Sequence, residues 1–245
     1  MPYLLSPLIS QELPGLWGEG APLEIENIYD IHSDDPKKPP VHYNSYHLKP
    51  HSLPHVDAPG HIIPEGKKIE DLLRSESTEI FYGRTLVVKL KGNRFQLIDE
   101  QAGLYVWKVN QEELFKEIYR LCPAEKIPRR ILVTANEAPL HPSGFHDPNY
   151  VLVLEKGAAE ALVEIDGFCL YGTSWKSADF EPGSRERPVH KVFFEKGAVM
   201  EMLKLDHVPE GEYFMSAFPV PIQGATESIV CPVLYTKEEL SAFLR

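Results

Sequence analysis

Only three cysteines, Cys122, Cys169 and Cys231, occur in 245 residues. Their odd number and wide spacing exclude a disulfide framework, and their apolar or proline-flanked surroundings predict buried free thiols in a reducing compartment. Positive charge is also scarce: 25 Lys and Arg against 36 Asp and Glu leave a net charge of −11. The basic footprint that non-specific nucleic-acid binding requires is missing, and an anionic membrane surface would repel the chain. No apolar run approaches the roughly 20 residues of a membrane span. Met1-Pro2-Tyr3-Leu4-Leu5 carries no cationic region ahead of an apolar core, so a cytoplasmic location is expected. Three catalytic patterns are absent as well: a Gly-x-Ser-x-Gly elbow, a Walker loop, and Gly-x-Gly-x-x-Gly after a strand. The run Gly15-Leu16-Trp17-Gly18-Glu19-Gly20 is glycine-rich, but no helix pattern follows it.

Proline, by contrast, is plentiful. Twenty-two prolines point to a loop-rich, β-containing fold rather than a helical bundle. The hydrophobic content of 43% and charged content of 25% are those of an ordinary globular protein, for which one domain over 1–245 is the simplest division. Residues 3 to 9 predict a short edge strand, 41 to 49 a strand, and 84 to 90 a buried strand. The segment from Pro14 to Pro40 reads as irregular. Asn110 followed by Glu113 is a capping-box signal for a helix that Pro123 ends. Strand 130 to 134, helix 154 to 165 and strand 168 to 171 then predict a mixed α/β arrangement. A long polar loop runs from Thr173 to Pro188, before a short helix over 189 to 196 with Gly197 past its end. Within the strand over 198 to 203, Glu201 lies in the run Val-Met-Glu-Met-Leu. Either it points to solvent, or it is buried and needs a partner or a metal; periodicity leaves both open. Two further strands are predicted over 212 to 218 and 228 to 235.

The chemistry concentrates in Pro50-His51-Ser52-Leu53-Pro54-His55-Val56-Asp57-Ala58-Pro59-Gly60-His61. Imidazole and carboxylate suit zinc, manganese or iron. A residue before proline is pushed out of the α region, so His51-x-x-x-His55 is not a helical ligand pair. An extended course would put His51, His55 and Asp57 on one face, as ligands that leave coordination positions open. His61, beyond the Pro59-Gly60 turn, is either a further ligand or an unligated base. Trp17 is either a hydrophobic plug, the simpler reading, or a wall of a substrate pocket. His47 shares parity with His51, and His141 and His146 flank a turn that either lines a pocket or is simply solvated.

The pattern His51-x-x-x-His55-x-Asp57-x-Pro59-x-His61 resembles the signature His-x-Gly-Thr-His-x-Asp-x-Pro-x-His of the metal-dependent cyclase family, which includes bacterial kynurenine formamidase and isatin hydrolase. The likeness extends to the Trp17 loop and to Ala159-Glu160-Ala161-Leu162. It also takes in Leu170-Tyr171-Gly172 with Ser177 and Asp179, and the pair His190 and Glu201. Leu53-Pro54 stands where the family has Gly-Thr, and Ser174 where it has an aspartate. The resemblance implies a mixed α+β, swivelling β/β/α-type fold with Pro/Gly-rich active-site loops, assembled as a homodimer or homotetramer. It implies one or two divalent ions, zinc first and manganese or iron next. His51, His55 and Asp57 would hold the first, and Asp57 would bridge to a second on His190 and Glu201. His61 would be the general base and acid. The implied activity is hydrolysis of a small aryl formamide or cyclic amide, in which water activated by the metal attacks the carbonyl. The alternatives are a non-catalytic metal- or small-molecule-binding protein on the same scaffold, and a lyase or cyclase acting on a hydroxylated ring compound.

Overall fold

The computed structural model describes residues 1–74, 78–142, 144, 146–181 and 183–243. In chain order its first strands are β1 (Tyr3–Leu4), β2 (Leu23–Tyr29), β3 (Tyr43–Leu48) and β4 (His55–Asp57), followed by helix α1 (Ile69–Leu72). Next come β5 (Tyr82–Leu90), β6 (Gln96–Asp99), β7 (Leu104–Val109), α2 (Gln111–Leu121), β8 (Arg130–Ala135), β9 (Tyr150–Leu154) and α3 (Lys156–Val163). The chain closes with β10 (Leu170–Thr173), α4 (Pro188–Phe194), β11 (Ala198–Glu201), β12 (Gly211–Ser216), β13 (Glu227–Ile229), β14 (Val233–Tyr235) and α5 (Lys237–Phe243). None of the described helices is long and apolar enough to cross a membrane.

Nine strands form one mixed sheet in the order β1-β14-β12-β5-β8-β10-β11-β4-β13. Its centre, β5-β8-β10-β11, is parallel, and antiparallel strands flank it on both sides. A parallel centre needs cover on both faces, and the sequence of β5 supplies it. Leu86, Val88 and Leu90 alternate with Val87, so the first three join the core packed under α2, α3 and α4 while Val87 joins the opposite one. Helix α2 opens on the expected capping box: Asn110 accepts from the Glu113 amide, and Glu113 accepts from the Asn110 amide. The mixed α+β arrangement expected from the sequence is the one formed.

Helix α4 docks through Phe193, which is fully buried and stacks on Tyr171 with ring centroids 4.4 Å apart. Such a pair adds about 0.5–1.5 kcal/mol beyond its area burial. The helix starts at Pro188, which pre-sets the first helical φ, and ends at Phe194; the Gly197 amide then donates to the Phe193 carbonyl at 2.9 Å where the chain passes against the Cys169 carbonyl. The docking fixes where His190 points, since it lies on the same buried face.

Three parts of the fold differ from expectation. The 14–40 segment contains β2, which pairs with β3 from Leu23↔Leu48 onward. Leu23 and Ile25 do alternate with Glu24 and Glu26, but proline and glycine on both sides mask that period. A separate three-stranded sheet, β6-β7-β9, forms beside the main one and packs Val106, Val151 and Val153 around Trp175. Cys231 is exposed, unlike Cys122 and Cys169, because the short β14 that follows it presents only Leu234 to the core.

A methyl group at Gly197 would overlap the Cys169 carbonyl oxygen, which is backbone and has nowhere to move. Gly197→Ala is therefore expected to lower stability by about 1–3 kcal/mol, the usual cost of overpacking. Urea denaturation of the variant against the parent protein checks this.

Candidate metal centre

Pro50 starts a single 3-10 turn over Pro50–Ser52, and the Leu53 amide closes it on the Pro50 carbonyl at 2.9 Å. Leu53 is then extended, as a residue before proline must be, and its side chain is buried with Leu13 and Met202. The Leu53-Pro54 departure from the family signature thus anchors the loop through a side chain that glycine lacks. The Leu53 carbonyl lies 2.8 Å from His55 Nδ1 and accepts its N–H, so His55 Nε2 is the nitrogen turned into the site. His51 sits on the 3-10 turn rather than on an extended face, which corrects the parity expected from the sequence. Its Nδ1 nevertheless comes within 3.0 Å of His55 Nε2.

Strand β4 lies between β11 and β13. Glu201 pairs with His55 and Glu227 pairs with Asp57 across antiparallel ladders, so the four side chains share one face. Helix α4 brings His190 over that face. Asp179 accepts the Val189 amide at 2.8 Å and approaches His190 Nδ1 at 2.6 Å, capping the helix and holding the ring with one carboxylate. His190 Nε2 is left 3.2 Å from Glu201 Oε1 and 3.6 Å from Asp57 Oδ2. On the other side Asp57 Oδ1 lies 3.5 Å from His55 Nε2, and Glu201 Oε2 lies 3.6 Å from the same nitrogen. The Ala178 amide donates to Glu201 Oε1 at 2.6 Å.

Both Asp57 oxygens and His190 Nε2 are buried without a hydrogen-bond partner among the described residues. A buried carboxylate with neither oxygen satisfied costs several kcal/mol unless something charged lies against it. The donors fit a divalent cation. His51, His55 and Asp57 form one group with ligand atoms within 4.8 Å of one another, and Asp57, His190 and Glu201 form a second. Asp57 belongs to both, with Oδ1 toward His55 and Oδ2 toward His190, so it could contribute an oxygen to either group if a divalent ion were bound.

Burial alone would pull the His55 pKa down, but Asp57, Glu201 and the Leu53 carbonyl lift it to about 9. His190 is likewise held well above its ordinary value, by Asp179, Asp57 and Glu201 against the effect of burial. Burial would raise Asp57, yet His55 and His190 hold it well below the usual carboxylate range. His51, desolvated and facing His55, is pushed down. Without a cation, protons on the two raised histidines offset the buried acids.

All five residues expected to hold metal meet at one place, and His61 is beside them. Its ring centroid is 4.9 Å from that of His51 and 6.3 Å from that of His190. Trp17 is no plug: it is 39% exposed, its Nε1 donates to the His51 carbonyl at 2.9 Å, and Lys176 Nζ lies 4.7 Å from its ring. His47 stays on the exposed hairpin beside Glu24. His146 is a buried structural residue bonded to the Tyr150 carbonyl. Ser174 pairs with the Thr134 hydroxyl at 2.8 Å. Sequence reasoning missed the parts played by Asp179, the Ala178 amide and Glu227. The one local hint of Glu227 is an acid at the head of the short strand Glu-Ser-Ile, whereas Glu201 closes the strand Ala-Val-Met-Glu.

Two outcomes follow from these interactions. Asp179→Asn keeps an acceptor for the Val189 amide but loses the charge on the His190 ring, and should weaken metal binding about 10- to 100-fold in a chelator competition. The second concerns pH. The raised His55 pKa stabilises metal-free protein fully below 6.5, and this contribution is lost as pH rises through about 9; His190, raised as well, contributes with the same sign. The depressed Asp57 contributes above 3.8 and is lost at lower pH. Metal-free protein should therefore be most stable between those two limits and lose stability from pH 6.5 to 9, whereas metal affinity should increase over the same interval as the cation displaces the protons. Chemical denaturation and calorimetry across that range test both signs.

A comparison with protein-family models finds no match. Among curated proteins, the chain is 30% identical over 200 residues to the kynurenine formamidase of Paracidovorax citrulli, covering 80% of this chain and 81% of that one. It is 28% identical over 195 residues to that of Salinibacter ruber, covering 79% and 80%. Among solved structures, isatin hydrolase A from Labrenzia aggregata superposes with a TM-score of 0.70 at 17% identity, covering 97% of this chain and 94% of that one. A structure described as a novel cyclase gives a TM-score of 0.69 at 13% identity, covering 96% and 87%. The last two share the fold; with the signature at His51 to His61 and the 30% identity to a kynurenine formamidase across four-fifths of both chains, this protein belongs to the cyclase family that includes the kynurenine formamidases.

Proposed function

We propose that the protein is a metal-dependent hydrolase that cleaves the carbon–nitrogen bond of a small aryl formamide or cyclic amide. One observation carries this reading: Asp57 presents two buried, unpaired oxygens, each toward a different histidine, in a chain whose relatives are kynurenine formamidases. His51, His55 and Asp57 would hold one ion, and Asp57, His190 and Glu201 a second. Zinc is our first assignment, with manganese or iron compatible with the same nitrogen and oxygen donors. A divalent ion bound there supplies Lewis acidity, which polarises a carbonyl and acidifies water.

The chain's own residues do the rest. His61, 17% exposed in its side chain, is reachable from solvent while the buried ligands are not, so it can exchange protons with a bound substrate. In the hydrolytic reading it takes the proton from the attacking water and returns it to the leaving nitrogen. The Ala178 amide and Asp179 keep Glu201 and His190 fixed, so the donors need not reorganise during turnover. Trp17, held over the metal loop by its bond to the His51 carbonyl, forms a wall suited to an aromatic substrate. We further propose a cytoplasmic enzyme, working as a homodimer or homotetramer on a small-molecule substrate.

His61→Ala is expected to leave metal content intact while lowering turnover about 100-fold or more. Atomic absorption and a panel of N-formyl anilines and fused lactams test this together. The product should be heavier than a lactam substrate by one water; an unchanged or lighter product would replace hydrolysis with isomerisation or elimination. Wild-type rates in His61→Ala would remove His61 from the chemistry.

A further inference from the structure

Each deeply buried histidine of the site has one ring nitrogen fixed by an acceptor. The Leu53 carbonyl holds His55 Nδ1 at 2.8 Å, and Asp179 holds His190 Nδ1 at 2.6 Å. His61 lacks such a neighbour within its own loop: Pro59, Gly60 and Ile62 offer no side-chain acceptor. The neighbour comes instead from the edge strand β13, some 165 residues further along the chain. Glu227 Oε2 lies 3.6 Å from His61 Nδ1.

Three features make this approach more than a chance surface encounter. Glu227 pairs with Asp57 across the β13-β4 ladder, so its side chain emerges on the face that carries His55 and Asp57. Its side chain is only 29% exposed, and Thr226 Oγ1 donates to the same Oε2 at 2.5 Å, which restricts the carboxylate. His61 is restrained in turn, since its amide closes a 3-10 turn on the Ala58 carbonyl at 2.9 Å and its ring lies between those of His51 and His190. The remaining gap is slightly longer than a hydrogen bond, as is common before substrate tightens a catalytic contact.

We infer that Glu227 is a positioning residue for His61: its carboxylate accepts from Nδ1–H, fixes the ring's tautomer and rotation, and leaves Nε2 as the nitrogen that moves the proton. This rests on the hydrolytic reading above, in which His61 is the proton carrier. The logic is that of a carboxylate orienting the base of a catalytic triad. It requires the charge to lie beside the ring and not in the reacting centre, which is where the β13 edge puts it. The same atoms admit one rival role, because His51, His61 and Glu227 also have ligand atoms within 4.8 Å of one another and could share a further cation.

The test compares zinc-loaded parent protein with Glu227→Leu, Glu227→Gln and Glu227→Asp. Measured are kcat and KM on a formanilide or fused lactam, zinc per chain, and the ¹⁵N shifts of the His61 ring, assigned by their loss in His61→Ala. Glu227→Leu should lower kcat about 10- to 100-fold with KM within about twofold and zinc content unchanged. Glu227→Asp should recover most of the rate, and Glu227→Gln an intermediate part, since it accepts a hydrogen bond without the charge. The His61 shifts should report an Nδ1–H ring in the parent and a tautomer mixture in Glu227→Leu. An unchanged tautomer and unchanged kcat in Glu227→Leu would overturn the assignment, and so would the loss of one equivalent of zinc, which makes Glu227 a ligand. If the parent turns over nothing in the panel, the hydrolase reading fails, and the tautomer readout still decides the role of Glu227.

Discussion

The structure depends on one carboxylate placed where water cannot reach it. Asp57 is 1% exposed, sits on a strand hydrogen-bonded on both sides, and has no donor for either oxygen among the described residues. An uncompensated charge in that position would outweigh a large part of a typical domain's net stability. What surrounds it reads as compensation. His55 and His190 face its two oxygens, and each is itself braced from behind by an acceptor. The second acid, Glu201, shares both histidines and is steadied by a backbone amide. A cluster with this many acceptors and so few protons is built to be completed by a cation.

Geometry of this kind demands rigid supports, and the fold provides three. The mixed sheet sets the spacing of His55, Asp57 and Glu201 by ladder register alone. Helix α4 is pinned by the Phe193–Tyr171 stack, by Asp179 at its first turn and by the close pass of Gly197 at its end. The Pro50–Ser52 turn, anchored through Leu53, carries His51 in from the side. Loops contribute at the rim, where Ser52 bonds to the Leu16 amide and to Glu19, and Trp17 spans the loop that holds His51.

The near half of the site was legible in the sequence because its residues are close together and proline restricts the paths between them. Even there, alternation along an extended chain is not what brings His51 to the site, since Pro50 begins a turn and not an extended run. The far half was not legible from local pattern. His190 and Glu201 join it through a helix docking and a strand pairing, and only the family resemblance linked them to His51 to His61. The role of Asp179, a residue the resemblance names without a function, and that of Glu227 are hidden for the same cause: each becomes special through what the topology brings against it. The missed strand β2 is a different matter, because its two-residue period is present but short and bracketed by turn-forming residues. Capping signals, long buried strands and the proline stops were readable because they act over a few residues.

Strand β4 has only three residues, yet it is held by two strands that the chain reaches far later. Pairing of Asp57 with Val199 and with Glu227 closes loops of more than 140 and about 170 residues. Contacts of such sequence separation carry a large loop-closure cost that the rest of the core must offset. The face that carries His55, Asp57 and Glu201 therefore cannot be assembled from the residues near Asp57 alone. It needs β4 paired with β11 and β13, so the ability to take up metal would itself report that segments more than 140 residues apart have come together.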